Sequence, residues 1–245
     1  MTCEEAQHHK QALKCRFCWS QISEQNNNVI RFEVSDAFLD VCSNGECVEL
    51  MRQSCPKKHA CGHSCKGCAD EQQCLPCLNK ECMQKYNEGI SNPQQQLLED
   101  CSEEDYCGIC QISGLGDEPS IRLGCRHIFH ARCISKRIMG RWPSPRITWD
   151  FLNCSSCKQQ MSFLPGQHAK LFSELQKLLQ LKEKMDKMAI ERAKYEGIDK
   201  DPRVKNADGD FYGDLQRWAT FKLAYYQCYK CHNPYFGGMK DCLRA

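Results

Sequence analysis

Residues 107–157 read CGICQISGLGDEPSIRLGCRHIFHARCISKRIMGRWPSPRITWDFLNCSSC. Eight of these side chains are metal-ligand types in a fixed order: Cys107, Cys110, Cys125, His127, His130, Cys133, Cys154 and Cys157. Two C-x2-C pairs bracket a C-x-H-x2-H-x2-C core that starts 14 residues after the first pair and ends 20 before the second. Zinc takes four soft or borderline ligands in a tetrahedron, with Zn–S near ~2.3 Å and Zn–N near ~2.0 Å. A C-x2-C turn offers two thiolates to one ion from a single tight knuckle. A small domain that buries little apolar surface can then fold on the metal itself. A redox or disulfide cluster is the rival reading, and so specific a spacing weighs against it.

The order resembles a RING, the zinc module that docks ubiquitin-conjugating enzymes. In RINGs, ligand pairs alternate between two ions in a cross-brace. The resemblance implies one zinc on Cys107, Cys110, His130 and Cys133, and a second on Cys125, His127, Cys154 and Cys157. It also implies a shallow apolar docking groove beside the zinc loops. Ile109 is the expected contact on the first loop, and Trp142 with Pro143 on the central stretch; core packing competes for Trp142. Lys158 follows the last ligand, where direct-transfer RINGs often place a basic residue. Ser155 and Ser156 occupy the last ligand pair's interior, where many RINGs place proline.

The rest of the composition agrees with small metal-stapled modules. Of 245 residues, 41% are apolar and 22 are cysteine, so one large hydrophobic core is not expected. The opening MTCEEAQHHK carries no apolar stretch, so no signal peptide is expected. No run of about 18 apolar residues suggests a membrane span. Clustered C-x2-C pairs then read as zinc sites in a reducing compartment, cytoplasmic or nuclear. Net charge is +2, from 33 basic and 31 acidic residues, which gives no electrostatic footprint for nucleic acid.

Upstream, Cys15 and Cys18 form a knuckle, and Cys42 and Cys47 flank an Asn44-Gly45 turn signal. VIRFEV at 29–34 reads as a strand between them, and the four cysteines as a zinc ribbon. Cys55, Cys61, His63, Cys65, Cys68, Cys74, Cys77 and Cys82 supply ligands for two more ions, with His59 as a possible substitute; spacing leaves their pairing open. Residues 86–104 turn polar and read as a linker, with a short helix at 94–100 and an unliganded surface cysteine at Cys101. Over 168–196, Leu171, Leu175, Leu178, Met185, Met188, Arg192 and Tyr195 recur at helical spacing, and Gly197 is a plausible stop. That amphipathic helix reads as a spacer packed on neighbouring modules, with a coiled-coil seam as the rival. Residues 199–213 look loop-like. Cys228 and Cys231 then form a last knuckle, half a zinc shell whose remaining ligands are open between His232, Cys242 and other sources.

CGIC at 107, GCRHIFHARC, GRWPSPRITWDF, AKYEG and AYYQCYKCHNPYFGG together resemble the Pam/Highwire family of very large ubiquitin ligases, as do CGHSCKG and CLPCL upstream. In that family a RING precedes a tandem-cysteine domain. Ubiquitin passes from the conjugating enzyme to a first cysteine on a mobile loop. A second cysteine then esterifies hydroxyl side chains, preferentially threonine. The resemblance places the first relay cysteine on Cys242, shortly after YFGG. It places the second, with its histidine base, beyond Ala245, so a truncated domain is expected. The rival role for Cys242 is a zinc ligand beside Cys228 and Cys231.

The fold expected is a set of small zinc-stabilised α+β modules. N-terminal zinc-binding modules span 1–85, a polar linker 86–104 and a cross-brace RING 105–165. A helical linker spans 166–207 and a partial tandem-cysteine domain 208–245. Two zinc ions belong to the RING, about three lie upstream, and one site near the C-terminus is incomplete. The activity implied is that of a RING-type ubiquitin-protein ligase working by thiol relay, with a ubiquitin-conjugating enzyme, ubiquitin and a protein substrate as partners. Direct transfer to lysine and a catalytically incomplete zinc-binding adaptor are the alternatives.

Overall fold

The computed structural model describes residues 14–22, 38–69, 71–91, 96, 98, 101–164, 166 and 168–237. The strand read at 29–34 and Cys242 lie outside them, as does most of the helix read at 94–100, where Gln96 sits in a bend. The backbone forms two compact units, Met1–Lys136 with Cys154–Ala169, and Arg137–Asn153 with Lys170–Ala245.

In the first unit, helix α1 spans Gly45–Gln53. Asn44 and Gly45 start this helix instead of closing a turn. The Asn44 side chain accepts the Glu46 N–H at 2.9 Å from an extended backbone, and Cys47 is buried in the first helical turn. Asparagine favours N-caps and turns for the same reason, a short side chain that satisfies nearby N–H groups. Helix α2, Lys80–Glu88, is capped by Asn79 and runs into the stretch read as linker. Cys101 is not a surface residue: it is 2% exposed, and the adjoining Glu103 N–H donates to Leu78 O at 2.9 Å. Strands β1 (Ser120–Arg122) and β2 (Ile128–His130) pair antiparallel, with Ile121 opposite Phe129, and all six residues are buried. Helix α3, Ala131–Gly140, follows β2 directly. A separate small core gathers Cys15, Ile22, Phe38, Val41 and Cys47.

In the second unit, α4 runs over Ala169–Tyr195. Its buried stripe begins as expected with Leu171, Leu175, Leu178 and Met185, then continues through Ala189 and Ala193. Tyr195, expected on that stripe, is 83% exposed. The helix stops at Gly197, whose φ of +70° suits a residue without Cβ. The stretch 199–213 is not all loop: a 3-10 turn at Ile198–Lys200 leads into α5, Pro202–Lys205, with proline in the first turn and Asp201 as cap. Helix α6, Leu215–Lys222, precedes the antiparallel strands β3 (Tyr225–Gln227) and β4 (Pro234–Phe236). Met185, Ala189, Ala193, Val204, Trp218 and Tyr225 share one apolar core with Ile147. No helix among the described residues is long and apolar enough to cross a membrane.

Candidate metal centres

Four C-x2-C segments share one backbone design. The carbonyls of Cys15, Cys107, Cys154 and Cys228 accept the N–H groups of Trp19, Gln111, Lys158 and His232 at 2.9 to 3.0 Å. Each of those four donors sits in the left-handed region, with φ of 60°, 55°, 62° and 56°. The turn therefore closes immediately after the second cysteine and leaves both sulfurs on one side. Cys228 and Cys231 are carried at the tip of the β3–β4 hairpin, a strand pair that short, aromatic-rich segments did not announce in the sequence.

Four quartets bring their ligand atoms within 4.8 Å of one another. They are Cys15, Cys18, Cys42 and Cys47; Cys61, His63, Cys77 and Cys82; Cys107, Cys110, His130 and Cys133; and Cys125, His127, Cys154 and Cys157. Cys55, Cys65 and Cys74 form a trio under the same limit. Among the eight upstream candidates, Cys61, His63, Cys77 and Cys82 thus come together as one group, and Cys55, Cys65 and Cys74 as another. Cys68 is buried, with Sγ 3.8 Å from the Ser120 carbonyl. The last two quartets interleave along the chain: Cys125 and His127 fall between Cys110 and His130, while His130 and Cys133 fall between His127 and Cys154.

The imidazoles are oriented for coordination. His130 is fully buried, and its Nε2 lies 2.8 Å from the Gly114 carbonyl. A carbonyl only accepts, so Nε2 carries a proton, which leaves Nδ1, 3.6 Å from Cys110 Sγ, as the nitrogen that can give up its proton to take a metal. His63 likewise sets Nδ1 3.3 Å from Cys61 Sγ and 3.4 Å from Cys82 Sγ. His127 Nδ1 is buried without a hydrogen-bond partner among the described residues. A buried nitrogen without a partner is costly unless a metal takes its lone pair. His59 Nε2 is buried in the same condition, and His59 joins none of the four quartets.

Thiol acidity points the same way. Burial raises Cys107, but its hydrogen bonds with His130 outweigh that and hold it down to about 6. Burial pushes Cys133 up to about 12 in the same quartet and Cys125 up to about 12 in the next. His130 is carried up to about 9, because its hydrogen bonds to Cys107 and Gly114 outweigh burial. The Ser20 hydroxyl and backbone lower Cys18 to about 6, whereas burial pushes Cys47 far up. Sulfurs this close cannot all ionise against one another; a divalent cation among them relieves the conflict and displaces the protons. The donor set, thiolate and imidazole with no carboxylate required, fits zinc.

Ile109 is half-buried, and Lys158 is exposed, with Nζ donating to the Ser155 carbonyl at 2.7 Å. Trp142 is half-buried and edge-on to Trp149 and Phe151 at 5.8 and 6.2 Å, so the packing role weighed for it is filled. Pro143 is exposed. Gly114, which orients His130, escaped the sequence reading because a carbonyl acceptor leaves no residue-type signal. The left-handed residues after these knuckles, Trp19, Gln111, Lys158 and His232, share no residue type that would mark them in the sequence.

The geometry defines a chain of clustered four-ligand sites able to hold zinc. No family model matches it. Over 228 residues, 93% of its length, the chain is 32% identical to E3 ubiquitin-protein ligase MYCBP2 of Danio rerio. Over 230 residues, 94% of its length, it is 35% identical to E3 ubiquitin-protein ligase highwire of Drosophila melanogaster. It spans about 4% of the length of each of these relatives. Over that stretch the chain belongs to the Pam/Highwire family.

Proposed function

We propose that this chain is a ubiquitin-protein ligase segment that recruits a loaded ubiquitin-conjugating enzyme through a RING and accepts ubiquitin on Cys242. The observation that carries the reading is the interleaved pair of quartets, in a chain related to two E3 ubiquitin-protein ligases. Zinc, held by those eight residues, supplies structure rather than an open coordination position. Ile109 on the first knuckle is the docking contact that this reading tests; Trp142 and Pro143 are further candidate contacts, each on the central stretch. The Cys242 thiolate then attacks the thioester carbonyl carbon. A new S–C bond forms, and the conjugating enzyme's cysteine leaves as thiolate. Exchange between similar leaving groups depends on placement more than on lowering an intrinsic barrier. A reducing compartment, cytosol or nucleus, suits both the free thiol and the zinc clusters.

Incubation with activating enzyme, loaded conjugating enzymes and ubiquitin tests the reading. A thiol-sensitive adduct is expected, abolished by Cys242→Ala with bound zinc unchanged. Loss of one zinc equivalent in that variant instead would make Cys242 a ligand. Ile109→Ala is expected to abolish autoubiquitination without releasing zinc, and unchanged activity would refute the docking surface. A second reading, direct transfer to lysine, is favoured by exposed Lys158 held beside the last ligand pair. Lysine-linked chains that persist in Cys242→Ala would establish it. Neither product would leave a zinc-binding adaptor.

A further inference from the structure

Three large apolar side chains stand exposed around one groove of the first unit: Trp19 at 63%, Tyr106 at 69% and Ile112 at 80%. The groove encloses about 740 Å³ between the knuckle of Cys15 and Cys18 and the loop over residues 103–117. Its shape is set by more than side-chain chance. Trp19 follows Cys18 at φ +60°, held there by its N–H on the Cys15 carbonyl at 2.9 Å. Its indole N–H donates to Asp117 Oδ1 at 3.0 Å, and Asp117 Oδ2 accepts the Gly114 N–H at 2.7 Å. A bulky residue in the left-handed region is uncommon and costs energy. An exposed indole fixed at backbone and ring loses little freedom when a partner covers it. Anchored tryptophans are also the side chains that most often dominate an interface.

Charge narrows the partner. The groove's Arg16 donates from Nε to both carboxylate oxygens of Asp40 at 2.9 Å, and Lys66 pairs with Glu103 at 3.3 Å. Exposed Lys14 on the rim is opposed by Asp117, which takes neutral donors, and by exposed Glu104, so the lining carries one more carboxylate than cation. A matching surface brings an apolar patch flanked by basic side chains. We infer that this groove is a non-covalent docking site for ubiquitin, whose recognition face is a shallow apolar patch ringed by arginine, lysine and histidine. The inference rests on the ligase reading and adds a contact that uses neither Ile109 nor Cys242.

Isotope-labelled ubiquitin titrated with the zinc-loaded full chain, without conjugating enzyme, tests it by NMR. Saturable shift changes on the apolar-basic face of ubiquitin are expected. Trp19→Ala and Ile112→Ala should each weaken binding by roughly tenfold or more. Glu104→Lys should weaken it through charge alone, and Ile109→Ala should leave it intact. Zinc content is measured for each variant. If Trp19→Ala loses metal, Ile112→Ala and Glu104→Lys carry the decision. No shift changes, changes on another face, or unchanged binding in those two variants would overturn the inference. The two readings fail separately. No ubiquitin binding by the unaltered chain, with thioester discharge retained, sinks the groove alone, whereas ubiquitin binding without discharge sinks the ligase reading.

Discussion

His130 meets two demands at once, a proton on Nε2 for the Gly114 carbonyl and an Nδ1 placed for a metal shared with the sulfurs. His130→Ala is therefore expected to lower zinc content by one equivalent, measured by mass spectrometry of the intact protein or a chromogenic chelator. Gly114→Ala is subtler. A Cβ there would meet the Glu103 carbonyl at 2.9 Å, shifting the acceptor that fixes the imidazole. Lost outer-shell support typically costs about 10–100-fold in metal affinity. Chelator competition should show that drop while stoichiometry at saturating zinc stays whole. The ligands of this site were legible in the sequence because cysteine and histidine announce themselves by type. Their support was not, because a glycine carbonyl is specified only by the fold.

Helix ends make measurable contributions of their own. Asn44→Ala removes the cap of α1, which carries Cys47, and should lower stability by about 1 kcal/mol in denaturant titration. Gly197→Ala places a Cβ at φ +70° with nothing within 4 Å, so strain rather than collision sets the cost. About 1 kcal/mol is again expected. The length of α4 was legible to within a residue or so, since the leucine and methionine period persists for many turns. Its C-terminal register was not, because Ala189 and Ala193 pack tightly yet carry little hydrophobic signal beside Met188 and Tyr195. Asn44-Gly45 shows the opposite limit: one residue preference serves both a turn and a cap, and only the following residues' packing decides.

Across the whole molecule the two units have different sources of cohesion. The second has a continuous apolar core around Trp218 and Tyr225, whereas the four quartets named above lie in the first. Excess chelator is expected to unfold the first unit and leave the tryptophan environment of the second folded, read by fluorescence and hydrogen exchange. Acidity should act in the same direction. Cys125 and Cys133, raised to about 12 without metal, hold protons near neutral pH, so zinc uptake must release them and tightens as pH rises. As pH falls toward about 6, where Cys107 also takes a proton, zinc should leave; calorimetry in buffers of different ionisation heat counts the protons. The interleaving of Cys107–Cys133 with Cys125–Cys157 carries a kinetic consequence. Each ion closes a loop that contains ligands of the other, so the departure of one slackens the tether on its neighbour. Loss of one ion should then speed release of the other at these two sites, while the Cys15–Cys47 quartet, which encloses no ligand of another described quartet, exchanges its ion independently.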